Sequence, residues 1–350
     1  MSNSWLKTDF VPGLVSVIVP LYNQAEYVGG TLDSLLASTY RPIEIIVVNK
    51  SSKDASGAVV AKWISQLPKD NVFQAKLLEQ PNSGASAARN YGAMQSRGEF
   101  IHFLDADDMV VPVWYEYSIR TMQAHKECGL VWAGWKTADN NSMEEALRWC
   151  MEHAAVYSDG ILTDETPIFG GNTMFRHDAI ARVGSQYEKV YHGDDVDYYL
   201  RVLMHGIIIR RLPCTLFIYR QHLEQGSRDH SWGATDSLLR AIVHAESLQA
   251  EIAIPSHLAC RVRKQFAVVF RNAVFRSIVG KHKDLALRAG KGFKRHAMAV
   301  PFRHRVQLSL LISLAGLGWF SAAAAAGRFL YGIGSLTGTP VSKTTQTSKI

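Results

Sequence analysis

Phe100-Ile101-His102-Phe103-Leu104 is an apolar run that leads straight into Asp105-Ala106-Asp107-Asp108. An interior strand ending in three carboxylates gathers like charges that repel one another. A divalent cation arriving with a diphosphate relieves that repulsion, because the ion bridges carboxylate and phosphate oxygens. Such an ion also stabilises charge on a departing nucleoside diphosphate. Acids after a strand are equally common as a solvated turn or a helix N-cap, so the run alone leaves both readings open.

Upstream of this run the pattern alternates strand and helix. Val15 to Val19 is a β-branched run ended by Pro20, Ile43 to Val48 is almost wholly apolar, and Phe73 to Leu78 is a third strand. Helices are expected over Thr31 to Ser38, over Ala55 to Gln66 with Asp54 as N-cap, and over Ser86 to Ser96. Strands without polar alternation are those covered on both faces. Alternation with helices predicts an α/β fold with a doubly wound sheet. Ligands in such sheets bind beyond the carboxyl ends of the strands, so Pro20, Asn49 and Asp105 should share one rim.

Two further stretches carry chemistry. Asn82-Ser83-Gly84-Ala85-Ser86-Ala87-Ala88-Arg89-Asn90 opens a helix with small residues. It can receive an anion at the helix N-terminus, with Arg89 reaching a phosphate or base, or it is an ordinary tight turn. Gly193-Asp194-Asp195-Val196-Asp197 can place a general base against a hydroxyl, or simply set acids at the positive end of a helix dipole. The region from Gly129 to Arg228 is less regular. A helix is expected from Val196 to His205 and a strand from Leu216 to Arg220. Asn172, after the Gly170-Gly171 turn, either presents its amide to an acceptor or is a turn residue.

In order and spacing, Val15 to Asn23, Asn82 to Asn90, Gly98-Glu99-Phe100 leading to the acids, and Gly193-Asp194-Asp195 resemble the family 2 glycosyltransferases over Leu14 to Gly206. The resemblance implies a GT-A fold and a metal-dependent hexosyltransferase. It also implies inversion by single displacement from a nucleotide-diphospho-sugar with Mg²⁺ or Mn²⁺. By position Pro20, Tyr22 and Asn23 would line the base pocket, with Glu26 and Arg89 near the nucleotide. Asp105 would face the ribose and sugar, and Asp107 would take the metal. Asp195 matches the catalytic base, with Asp194 beside it on the acceptor side in place of the more common Glu. Tyr219-Arg220-Gln221-His222 resembles the segment closing over the diphosphate, where His222 is a candidate metal ligand. One departure stands out. The family usually has Asp-Asp-Gly-Ser where this chain has Asn49-Lys50-Ser51-Ser52. Asn49 can accept a hydrogen bond from a base only without charge, and Lys50 reverses the charge. A non-catalytic binding or scaffolding subunit of the same fold is therefore the alternative.

The rest of the 350 residues is set by composition. At 47% hydrophobic and 20% charged the chain supports a packed core. The four cysteines form no CxxC, which gives no support to zinc or redox motifs and suits reduced thiols in a cytosolic compartment. Met1 to Gly13 has no apolar run and is expected not to be a signal peptide. The organisation reads as a GT-A domain over 14–230, with a nucleotide-sugar half (14–128) and an acceptor half (129–230). A basic helical extension covers 231–336, and 337–350 is a polar tail. Between Ser256 and Arg305 there are thirteen Lys and Arg against the single acid Asp284. The uncharged stretch 306–326 is about 30 Å long as a helix. It can span a membrane, lie on one, or pack in a core. The preceding positive charge favours anionic headgroups or a lipid-linked acceptor and would place the catalytic domain on the cytoplasmic side. Without aromatic-interleaved basic motifs, nucleic acid is not an expected partner.

Overall fold

A computed structural model describes residues 5–6, 9–68, 72–154, 161–162, 171–222, 231–318, 320–323 and 326. The chain divides into two units, Met1–His222 with Leu248–Leu258, and Leu223–Ser247 with Ala259–Ile350.

The first unit runs β1 (Val11–Leu21), α1 (Val28–Leu36), β2 (Ile43–Asn49), α2 (Ser56–Ser65), β3 (Phe73–Glu79), α3 (Ala85–Met94), β4 (Gly98–Phe103), β5 (Met109–Val110), α4 (Trp114–Ala124), β6 (Cys128–Ala138), α5 (Met143–His153), β7 (Ile161–Leu162), β8 (Thr173–Arg176), α6 (His177–Val183), α7 (Asp194–Met204) and β9 (Ile208–Arg220). Among the described residues nine strands form one mixed sheet, ordered β3-β2-β1-β4-β8-β6-β9-β5, with β7 also on β9. The first four strands are parallel, whereas β8 is antiparallel to both β4 and β6. β2 and β4 flank β1, so the chain order reverses there, and the switch point lies at the carboxyl ends of β1 and β4.

Every residue of β2 is buried, as its apolar run requires. Ile45 and Val47 join Val15, Val17, Val19, Leu32 and Trp114 on one face. Ile46 and Val48 pack with Ala88 on the other. The buried Glu44 carboxylate accepts hydrogen bonds from Ser16 Oγ at 2.6 Å and Arg97 N at 2.7 Å, which satisfies its charge. Helix α3 lies close on this sheet. A Cβ on Gly92 would stand 2.4 Å from Ile18 Cγ2, so only glycine permits the approach that sets Arg89, three residues earlier, over the rim. Asp54 is not the N-cap of α2, since Ala55 occupies that position. The Asp54 carboxylate instead accepts from Ser56 N at 3.0 Å and Ala25 N at 3.1 Å, tying the helix start to the β1–α1 loop.

The second unit is helical, with α8 (Trp232–Ser247), α9 (Ala259–Val279), α10 (Lys283–His296) and α11 (Phe302–Gly316). Its apolar interior includes Phe266, Phe270, Leu285, Phe293 and Leu311. Glu246 is paired with Arg295 and His296, and Asp236 with Arg240 and Arg288. No described helix is long and apolar enough to cross a membrane. The stretch 306–326 is thus not one spanning helix as far as it is described. Helix α11 stops at Gly316, and Gly318 follows at φ 82°, a left-handed turn that glycine tolerates. The positive-inside argument, which needs a spanning segment, loses its basis. The tail 337–350 lies outside the described residues.

Candidate active site

β4 delivers the acids to the rim. Leu104 N continues the ladder to Ile18 O at 3.0 Å, and the chain then turns, with Asp108 N bonded to Asp105 O at 3.2 Å. Thr31 Oγ1 of α1 donates to Ala106 O at 2.8 Å and pins the turn. The three carboxylates then diverge. Asp108 points inward, 2% exposed, and accepts from Arg220 N at 3.0 Å. Asp105 and Asp107 face outward.

Asp105 meets Arg89. The guanidinium bridges Asp105 Oδ1 at 2.6 Å and Asp194 Oδ2 at 2.7 Å, and Ser86 Oγ adds a bond to Asp194 at 3.0 Å. Burial opposes the charge on Arg89, but the two carboxylates more than offset it and hold its pKa above the ordinary value. One side chain thus joins three motifs separated by up to 105 residues. Gly193, at φ 82°, opens α7 and sets Asp194, Asp195 and Asp197 in its first turn. Asp197 is fully buried against Arg201 at 2.8 Å, an internal pair that locks the helix to Val183 O and Ser185 O. Asp195 makes no ion pair among the described residues, and Arg89 is the nearby cation that favours its charge. Burial, and then the neighbouring Asp194 charge, push its carboxyl up to about 7. A carboxylate is a useful proton acceptor near neutrality when its pKa lies there. A reaction that uses Asp195 as its base should therefore climb in rate as pH rises through 7, where Asp195 loses its proton, and level off above. Replacing Asp194 by Asn should move that limb to lower pH. A profile flat between pH 5.5 and 8 would remove Asp195 from the role of base.

Asp107 meets the end of β9. Its Oδ2 lies 2.9 Å from His222 Nε2. The ring stacks on Tyr27 at 4.7 Å, and its buried Nδ1 has no hydrogen-bond partner among the described residues. Arg220 Nε donates to Asp107 O at 2.7 Å, and Nη1 donates to Asn140 Oδ1 at 2.8 Å. Asn140 in turn donates to Glu26 at 2.8 Å, so Glu26 is tied to the β6–α5 loop. No group of three or more His, Cys, Asp or Glu poised for a metal occurs among the described residues. Two neighbouring ligands of an octahedral ion at about 2.1 Å stand about 3 Å apart. The Asp107–His222 separation of 2.9 Å is compatible with the two side chains holding one such ion between them.

The β1 and β2 rims are stitched together. Asn23 (φ 52°) donates from its N–H to Ser52 Oγ at 3.1 Å and accepts from Lys53 N at 2.8 Å. Asn49 is 6% exposed, and both ends of its amide are bonded. Nδ2 donates to both Glu79 oxygens at 3.1 and 3.0 Å, and Oδ1 accepts from Ser52 N and Oγ at 3.2 and 2.6 Å. These bonds tie it to Glu79 of β3 and to Ser52 in the loop after β2. Lys50 points the other way. Its Nζ sits 5.5 Å from the Tyr22 ring centroid. Burial and then Arg89 lower its pKa, against opposing pulls from Asp105 and Asp194, so it shares their network. Asn172 is fully buried at the β8–β6 junction, where its Nδ2 donates to Ala133 O at 2.8 Å, and its Oδ1 has no hydrogen-bond partner among the described residues. Gly170 lies outside the described residues. Ser86, Tyr27, Asn140 and Arg220 entered the site without being anticipated. Ser86 and Arg220 lie within stretches already singled out, Asn82 to Asn90 and Tyr219 to His222, whereas Tyr27 and Asn140 carried no signal.

Residues 16–184 match the model of "Glycosyl transferase family 2". The uncharacterized glycosyltransferase YibD of Escherichia coli (strain K12) is 28% identical over 231 residues, which cover 63% of this chain and 64% of that protein. The chain thus spans just under two thirds of that relative. Among solved structures, residues 1–349 of Staphylococcus aureus TarS in complex with UDP-GlcNAc superpose with a TM-score of 0.62 at 15% identity, over 91% of this chain and 92% of that one. The mannosyltransferase PcManGT from Pyrobaculum calidifontis, in complex with GDP-Man and Mn²⁺, gives 0.56 at 18%, over 93% and 87%. At these identities the likeness is one of fold.

Proposed function

We propose, for a chain that belongs to glycosyl transferase family 2 through residues 16–184 and has a GT-A fold, that it is an inverting, metal-dependent hexosyltransferase. It moves a sugar from a nucleotide-diphospho-sugar to a hydroxyl of a glycan or lipid-linked acceptor in cell-surface polysaccharide synthesis. The observation that carries this reading is the Arg89 bridge, which gathers Asp105 of the donor rim and the Asp194-Asp195 pair into one charge network. The solved neighbours hold UDP-GlcNAc in one case and GDP-Man with Mn²⁺ in another, which supports a nucleotide-sugar donor and a divalent ion.

In the proposed step Pro20, Tyr22 and Asn23 line the base pocket, and Arg89 and Asp105 orient the ribose and diphosphate. Asp195 takes the proton of the acceptor hydroxyl. The acceptor oxygen forms a bond to the anomeric carbon as that carbon's bond to the diphosphate breaks, and the nucleoside diphosphate leaves with the electron pair. Asp107 and His222 would hold Mg²⁺ or Mn²⁺, which when bound neutralises charge on the leaving diphosphate. A single displacement inverts the anomeric centre. The partners are then the donor, the acceptor and an anionic membrane surface, with no role for nucleic acid. The four free cysteines suit a cytoplasmic setting, and the basic charge of the helical extension is the reason for placing the chain against the inner face of the membrane.

Lys50 favours a second reading, a non-catalytic subunit of the same fold, and one experiment separates the two. Nucleotide-sugars are screened by thermal shift with and without Mn²⁺, on the parent and on Lys50→Asp. At a hundredfold excess over Kd a bound donor stabilises by about 2.7 kcal/mol. One donor should stabilise the parent in a Mn²⁺-dependent way, and Lys50→Asp should change which nucleotide is preferred. Tight UDP-sugar binding that ignores Lys50→Asp would defeat the role given to Lys50. No binding of any donor would favour the non-catalytic subunit.

A further inference from the structure

Helix α10 carries an unusual outer stripe. Leu287, Lys291 and Lys294, with Met298 just past its end, recur at intervals of four, three and four, so they line one side. Leu285, Ala286, Ala289 and Phe293 are buried on the other. Helix α11 lies antiparallel beside it. Ile312 Cδ1 packs where a Gly290 Cβ would stand at 2.8 Å, Leu287 Cδ2 lies 3.5 Å from the corresponding point on Gly316, and Arg305 Nη1 reaches Met298 Sδ at 2.8 Å. α11 buries Leu308, Leu311, Ile312 and Ala315 and leaves Val306, Leu310 and the following Leu317 in solvent, 52%, 51% and 67% exposed. Met298 is 82% exposed. The two exposed stripes therefore run side by side, large apolar side chains next to lysines that have no ion pair among the described residues.

Resting on the reading of an anionic membrane surface as partner, we propose that this α10–α11 face is where the chain docks on an anionic lipid bilayer. Its apolar side chains enter below the headgroups while Lys291 and Lys294 stretch to the lipid phosphates. The chemistry separates this occupant from others. A nucleic-acid backbone would use the lysines but gain nothing from Met298, Leu310 and Leu317. A second copy related by two-fold symmetry would bring Lys291 and Lys294 against like charge.

The test is flotation of the full chain with vesicles of phosphatidylcholine alone, and with vesicles in which roughly one lipid in three is phosphatidylglycerol. The parent should float only with the anionic vesicles, and less at high salt. Lys291→Glu with Lys294→Glu should lower partitioning about tenfold or more. Met298→Ser with Leu310→Ser should do the same, with unchanged melting temperatures. Arg263→Glu with Lys264→Glu, an equal charge change on α9, should cost less than about threefold. Loss equal to that of the α10 pair would mean that net charge alone binds, and would overturn the assignment of this face. So would flotation with neither vesicle, or equally with both. An oligomer that Leu310→Ser converts to monomer would instead identify a contact between copies and overturn it too. Vesicle binding needs no donor. A chain that floats but shows no nucleotide-sugar thermal shift would fail only as an enzyme, and the converse would fail only here.

Discussion

Asp195→Asn is expected to lower the transfer rate at saturating donor by roughly two to four orders of magnitude, the usual contribution of a positioned general base. Asn matches Asp in shape, and its amide oxygen can still accept from Val196 N, now 2.8 Å from the Asp195 carboxylate. The change also removes a charge that burial and Asp194 disfavour, so the fold should hold or gain slightly. Asp195 makes no hydrogen bond to Arg89, although its charge favours the guanidinium, so the donor thermal shift should change little. Loss of rate with donor binding intact separates a proton acceptor from a residue that merely shapes the pocket. A rate within a few-fold of the parent would show that another group takes the proton.

Arg89→Met should act on both stability and binding. The buried guanidinium holds two carboxylates from different elements, and its loss leaves both without their cation. Breaking a buried pair by removing one partner typically costs about 3–5 kcal/mol. The lower end applies here, because the Asp105 side chain is 41% exposed and water screens it. Chemical denaturation should show the fall in midpoint, and nucleotide-sugar affinity should drop with it. Arg89→Lys should recover only part of either, because one ammonium cannot span both carboxylates as the planar fork does. Adding Asp194→Asn to Arg89→Met should restore some stability, since one orphaned charge disappears. Equal stability of Arg89→Met and the parent would mean that the bridge contributes nothing to the fold.

The parallel half of the sheet was legible because its strands are interior on both faces. The runs at Val15, Ile43, Phe73 and Phe100 became β1 to β4 with ends moved by up to four residues. The other half hid for physical reasons. β8 is four residues long, and β6 contains Gly129 and Gly134. Of β9 only Leu216 to Arg220 is expected from the sequence, because Pro213 interrupts the run before it. The structure accommodates that proline with a register shift, Leu212 pairing with Ala133 and Thr215 with Gly134. The acids were visible as motifs, but not the guanidinium that joins them, since a contact 105 residues apart leaves no local pattern. Asn49 and Asn172 read as amides at turns, but both are buried against neighbouring strands, where Asn49 bonds Glu79 and Ser52 and Asn172 donates to Ala133 O.

A thirteen-residue strand that ends at the chemistry limits how this scaffold can diverge. β9 pairs with β5, β6 and β7 along its length and carries Arg220, with His222 beyond it, up to the Asp107 loop. Side chains alternate along a strand, so gaining or losing one residue there would turn this whole set to the opposite side. Rim loops can lengthen freely, because closing a longer loop adds little entropy. New acceptors should therefore arise by insertions around the cleft mouth, while the span of β9 stays constant like the length of a piston rod.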